Sequence, residues 1–137
     1  MHGGTYNAQP VAMAATVATL QQLTPALYAQ IAGQGEALMA GLKDIFASAG
    51  IKAIVTGFPQ IFHVAFGLDE PARDYRDLAR SDKRAYVAFT SALLRRGVRA
   101  LERGAWFLSS EHDAGVIRET LAAAADAARE LKAQGVV

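Results

Sequence analysis

The sequence has no cysteine, almost no net charge and no long apolar run, and each lack removes a class of function. Without cysteine there are no disulfides, thiolate zinc sites, iron–sulfur clusters or cysteine nucleophiles. Fourteen Lys and Arg against 13 Asp and Glu leave a formal charge of +1, which argues against an electrostatic nucleic-acid binder. Apolar stretches fall short of the roughly 18 residues that suggest a transmembrane helix. The start, Met1-His2-Gly3-Gly4-Thr5, has neither the basic region nor the apolar stretch of a signal peptide. A soluble, cytoplasmic protein without nucleic-acid or membrane partners is the expectation.

What is present suffices for a core. The 137 residues are 52% hydrophobic, and a chain of this size buries about two-thirds of the surface its unfolded form exposes. Alanine clusters at both ends, in Met13-Ala14-Ala15 and Leu121 to Ala125, where its high helix propensity favours closely packed helices.

Periodicity divides the chain. His2 to Asn7 is a glycine-rich loop that ends at Pro10, a favoured first helical residue. A short helix runs from there to about Leu23. Thr24-Pro25 caps a second, with Leu27, Ile31, Leu38, Leu42, Ile45 and Phe46 at helical spacing and Gly50 as its C-terminal stop. Gly33 and Gly35 each weaken that helix by roughly 1 kcal/mol relative to alanine, so they mark a close approach of a neighbouring backbone. Ile51–Thr56 and Ile61–Phe66 are β-branched and aromatic, and read as an antiparallel strand pair joined through Gly57 to Gln60. Leu68 to Arg80 reads as a surface loop. Ser81-Asp82 caps a helix with Tyr86, Phe89, Leu93 and Leu94 inward, closed by Gly97. Val98–Leu101 and Trp106–Leu108 read as two further strands. Asp113 caps a last helix to about Lys132, with Val116, Ile117, Leu121, Ala124, Ala128 and Leu131 inward. The order ααββαββα predicts an α+β fold, a small antiparallel sheet with helices on one face.

Few residues carry chemistry. Gly4 and Thr5, just ahead of a helix, offer backbone N–H groups and a hydroxyl to a phosphate. The three histidines, His2, His63 and His112, lack metal-ligand spacing on one element. His63 reads as a packed strand residue, and His112 as a loop-orienting group before a helix. Arginines from Arg73 to Arg103 interleave with carboxylates, the pattern of solvated, salt-bridged faces. One of them suits a substrate carboxylate. Ser109-Ser110 near His112 lacks the Gly-x-Ser-x-Gly elbow of a nucleophilic serine.

Three blocks, in order, carry a family resemblance. Gly4-Thr5-Tyr6-Asn7-Ala8-Gln9-Pro10-Val11-Ala12-Met13-Ala14-Ala15 resembles the Gly-Thr-x-x-x-Asn-Pro-x-x-Met-Ala-Ala stretch of class III pyridoxal-phosphate aminotransferases, glutamate-1-semialdehyde 2,1-aminomutase above all. Tyr86, Phe89, Leu93-Leu94 and Gly97-Val98 are similar to that family's Tyr-x-x-Phe-x-x-x-Leu-Leu-x-x-Gly-Val helix end. Trp106 to His112 resembles its aromatic-x-Ser-x-x-His segment. Gln9, Ala105 and Asp113 depart from the pattern and bear on the substrate more than on the fold.

The resemblance implies the C-terminal part of a fold-type I transferase. Residues 1–33 would end a large cofactor-binding domain, and 34–137 would form the small domain. Gly4 and Thr5 would bind the phosphate of pyridoxal 5'-phosphate across a homodimer interface, while Arg103 and Ser109 would face the substrate. The substrates would be a small-molecule amino donor and acceptor. In this family the lysine that holds the cofactor, the aspartate on its ring nitrogen and the stacking aromatic all lie upstream of the Gly-Thr loop. None of Lys43, Lys52, Lys83 or Lys132 sits in a matching context, so no catalytic residue is expected here and the chain alone would be inactive. The alternative is a free-standing, non-catalytic α+β binding or dimerisation module derived from that fold. With the large domain absent, faces around Val11, Ala14, Ala18 and Leu38 would lack cover and favour oligomers.

Overall fold

The computed structural model describes residues 3–137, so His2 lies outside the described residues. Helix α1 (Pro10–Gln22) starts at a proline and is capped by the Gln9 side chain, which accepts from the Ala12 amide at 2.6 Å. Helix α2 (Pro25–Ala49) begins at Thr24, whose hydroxyl accepts from the Leu27 amide at 3.2 Å. It stops at Gly50, which takes the left-handed conformation (φ 70°) while the Ile51 amide bonds back to the Phe46 carbonyl at 2.8 Å. Strands β1 (Ala53–Phe58) and β2 (Ile61–Phe66) form an antiparallel hairpin with Phe58 opposite Ile61, so the turn is Pro59-Gln60. Helices α3 (Tyr75–Ala79) and α4 (Lys83–Leu94) follow. Strand β3 (Ala105–Phe107) pairs antiparallel with β2, and α5 (Ala114–Ala133) closes the fold from its Asp113 cap. The sheet order is β1-β2-β3.

Alternation along the strands sets the core. Val55, Phe62, Val64, Phe66 and Trp106 point to one face, where α2, α4 and α5 cover them. Phe46, Phe66 and Phe89 meet there in edge-on and tilted pairs with ring centres 5.1 to 5.5 Å apart. The Trp106 ring stacks on Phe62, and its indole N–H donates to the Tyr86 hydroxyl at 2.9 Å. Burial pushes the Tyr86 phenol up to about 12, against the smaller opposing effect of that hydrogen bond.

The expected antiparallel sheet with packed helices is present, and several details differ. Val98–Leu101 is not a strand. The place beside β2 is taken by Ala105–Phe107, while Val98 and Ala100 instead pack against the core. The expected loop from Leu68 to Arg80 contains α3, because the Asp74 carboxylate accepts from the Arg76 and Asp77 amides and so nucleates a turn. Helix α3 lies beside Ile54, Thr56 and Ala65, on the sheet face away from the other helices. Of the positions expected inward, Leu93 and Ile117 are buried, while their neighbours Leu94 and Val116 are exposed because they fall outside the burial stripes of α4 and α5. Leu38, expected without cover, is buried in the core. Gly35 does mark a close approach, for a Cβ there would lie 2.0 Å from the Pro59 carbonyl oxygen, whereas Gly33 faces open space.

Candidate functional site

The Gly4–Gln9 segment turns twice before α1, through Asn7 N–H to the Gly4 carbonyl (3.1 Å) and Gln9 N–H to the Tyr6 carbonyl (3.3 Å). Ala8 takes φ 60° to complete the turn. Gly4 and Thr5 are exposed, and they stand at the positive end of a helix that carries no charge of its own. Gln9, a departure from the family pattern, supplies the helix cap.

Arg103 and Ser109 flank β3 at opposite ends. The Arg103 carbonyl accepts from His63 Nε2 at 2.9 Å, which bears out His63 as a packed strand residue. Gly104 makes this contact possible. With φ 95°, a Cβ there would sit 2.5 Å from the imidazole and from the Val64 carbonyl. Arg103 forms no ion pair with the described residues. It lines an open cleft of about 450 Å³ with Ser91, Arg99 and Glu102, and another of about 340 Å³ with His63, Lys83 and Tyr86. The association of Lys83 and Tyr86 with Arg103 has no local signal, because it depends on the path of the chain between α4 and β3. Neither cleft contains Thr5 or Ser109, so the four site residues expected from sequence do not converge within this chain.

Ser109 belongs to a loop closed by His112. The Ser109 N–H and hydroxyl both reach His112 Nδ1 at 3.0 Å, and the Glu111 N–H donates to the hydroxyl at 3.4 Å. The imidazole therefore orients the loop, as its position before a helix suggested. The other arginines bear out the salt-bridged reading in part, since Arg76, Arg84 and Arg99 form no ion pair among the described residues. Arg73 and Arg80 hold Asp77, and Arg95 and Arg96 both hold Glu130. The Arg73 hydrogen bonds bring the Asp77 carboxyl down to about 2. No cluster of metal-ligating side chains occurs among the described residues. No described helix is long and apolar enough to cross a membrane. The loop ahead of α1 thus presents Gly4 and Thr5 to solvent, and Arg103 leaves its guanidinium without an ion-pair partner among the described residues.

No protein-family model matches the chain. Curated relatives do. Glutamate-1-semialdehyde 2,1-aminomutase of Roseiflexus castenholzii is 36% identical over 132 residues, which is 94% of this chain and 30% of that protein. The aminomutase of Deinococcus radiodurans is 35% identical over 135 residues, again 94% and 30%. Among solved structures, an omega-transaminase from Sphaerobacter thermophilus superposes with a TM-score of 0.84 at 33% identity, covering 94% of this chain and 30% of that one. A β-phenylalanine aminotransferase from Variovorax paradoxus gives 0.84 at 29% identity, over 100% and 31%. The chain thus spans about 30% of the length of the curated relatives it matches.

Proposed function

We propose that the chain serves, as phosphate loop and small domain, a class III aminotransferase of the glutamate-1-semialdehyde aminomutase kind, whose C-terminal part it resembles in sequence and fold. The enzyme would move an amino group between an amino acid or amine and an oxo acid or aldehyde. One observation supports this reading: the Variovorax aminotransferase structure covers 100% of this chain at a TM-score of 0.84, so the exposed Gly4-Thr5 loop and its uncovered helix fall inside the match. Residues 1–33 would belong to the large domain and 34–137 to the small one, with α2 running unbroken through the boundary.

Pyridoxal 5'-phosphate, when bound, supplies an electron sink and a carrier for the amino group. This chain fits its phosphate end only. The Thr5 hydroxyl and adjacent amides would donate to phosphate oxygens of a neighbouring subunit, aided by the α1 dipole. Arg103 would grip a substrate carboxylate through its paired N–H groups, and Ser109 would present a hydroxyl held in place by His112. The lysines offer nothing comparable at the ring. Lys52 pairs with Asp69, and Lys132 donates to the Ala49 carbonyl. We therefore expect the chain alone to produce no alanine from pyruvate and an amino donor in the presence of pyridoxal phosphate; turnover would overturn the reading. A hybrid supplies the positive arm, with this chain in place of the C-terminal 30% of the Roseiflexus aminomutase. It should bind the cofactor, and Thr5→Val should loosen that binding about tenfold, the worth of one charge-assisted hydrogen bond. A folded, dimeric hybrid with no affinity for the cofactor would refute the assignment.

A further inference from the structure

A third cavity, of about 190 Å³, lies between α2, α5 and the segments on either side of β3. Its walls are mostly apolar, with Leu38, Trp106 and Ile117 among them, and three polar side chains join them: Arg99, His112 and Thr120. Thr120 is the unusual one. A threonine in a helix ordinarily returns its hydroxyl to a carbonyl three or four residues back. Thr16, Thr19 and the buried Thr90 all do so, at 2.8, 2.9 and 3.0 Å. Thr120 is only 8% exposed, yet it makes no such bond among the described residues. Its oxygen is not fully sealed either, and the residue lines the cavity.

The other two polar groups have donors to spare. His112 Nδ1 is committed as acceptor to the Ser109 N–H, so the ring proton sits on Nε2. Arg99 forms no ion pair with the described residues. Three donors in a lining that holds no carboxylate, set in an apolar wall, describe a receptor for an acceptor-rich anionic group with an apolar body. A cavity of roughly 150 Å³ accommodates benzene, so the space here suits a molecule slightly larger. We propose that this cavity binds a small monocarboxylate with a short apolar or aromatic tail, its carboxylate held by the Thr120 hydroxyl, His112 Nε2 and Arg99. The site is built from this chain alone and is independent of the cofactor reading.

Trp106, the one tryptophan of the chain, lines the cavity and reports on it. Benzoate titrated into the 137-residue chain should change indole fluorescence saturably and move the amide resonances of His112 and Thr120. Benzyl alcohol, of similar shape without the charge, should bind at least about tenfold more weakly. Thr120→Val should reduce benzoate affinity about five- to tenfold, as one lost hydrogen bond predicts. Thr120→Ser should restore it. Because the hydroxyl has no partner in the fold, the valine variant should keep the parent's thermal midpoint, separating lost binding from lost structure. Absence of saturable binding at millimolar benzoate, equal affinity for the alcohol, or an unchanged affinity in Thr120→Val would each overturn the proposal. A valine variant that unfolds would show that the hydroxyl serves the fold, and would overturn it too.

Discussion

Helices α1 and α5 are both rich in alanine, and they end in opposite situations. The 20-residue α5 buries Ile117, Thr120, Ala123, Ala124, Ala127, Ala128 and Leu131, a continuous stripe against α2 and α4. The 13-residue α1 buries nothing, although Val11 is 73% and Leu20 60% exposed. Their difference lies in charge more than in apolar content. Helix α5 keeps Arg118, Glu119, Asp126 and Arg129 on its solvent side, whereas α1 has no charged residue on any side. A helix without a polar charged face is built to be enclosed. Helix α5 has found its cover within the chain, and α1 has found none there.

The largest expected effect tests the covered side. Ala124 is fully buried in α5, so Ala124→Asp places an unpaired charge in the core and should cost about 3–5 kcal/mol. Ala14→Asp in α1, on an exposed site, should stay within about 0.5 kcal/mol. Urea denaturation of both variants measures the contrast, and equal losses would erase it. A smaller effect separates two glycines of α2. Gly35→Ala drives a methyl group into the Pro59 backbone and should cost about 2 kcal/mol. Gly33→Ala meets nothing within 4 Å and should stabilise by about 0.5–1 kcal/mol through helix propensity. A thermal melt that moves both in one direction would contradict this reading of the α2–hairpin contact.

Tyr86 probes the same core by its proton. Its hydroxyl accepts from Trp106, and burial raises its pKa to about 12 against an ordinary 10.0. The unfolded chain therefore loses this proton first. The stabilisation is intact below pH 10 and disappears as the pH rises toward 12. Tyr86→Phe strands the buried indole N–H and should cost about 1–2 kcal/mol near neutral pH. It should also flatten the part of the alkaline decline that Tyr86 causes. Unfolding free energies of both proteins from pH 8 to 12 check the sign, and parallel curves would refute it.

Legibility in the sequence follows the range of each interaction. Caps, Pro-initiated helices, the left-handed stop at Gly50 and the β-branched hairpin depend on neighbours a few residues apart, and Thr24, Asp82 and Asp113 cap where their spacing indicates. The segment Val98–Leu101 has strand-like composition but no ladder, because pairing is decided by which segment reaches β2, and Ala105–Phe107 does. The Asp74 cap of α3 was readable in principle, although Pro71 and dense charge outweighed it in a five-residue element. Chemistry was less visible than fold. Gly4, Thr5, Arg103 and Ser109 stand out only by local pattern and resemblance, and the chain does not gather them into one cleft. The meeting of Arg99, His112 and Thr120 spans three segments and leaves no motif at all.

The smallest expected change in stability carries the most weight for α1. Replacing Val17 and Leu20 with lysine alters two residues that touch no core, so the unfolding free energy should shift by less than about 0.5 kcal/mol. Association should respond far more. The uncharged surface of α1 favours self-contact in the parent chain, and two cations on it would repel each other across any symmetric contact. Light scattering should find the parent as an oligomer and the doubly substituted chain as a monomer. A monodisperse monomeric parent would mean that α1 tolerates water unaided, and its lack of charge would then need another cause. An oligomer that survives both lysines would place the contact on another apolar surface, such as the outer sheet face at Phe58, Ile61 and Phe107, all exposed.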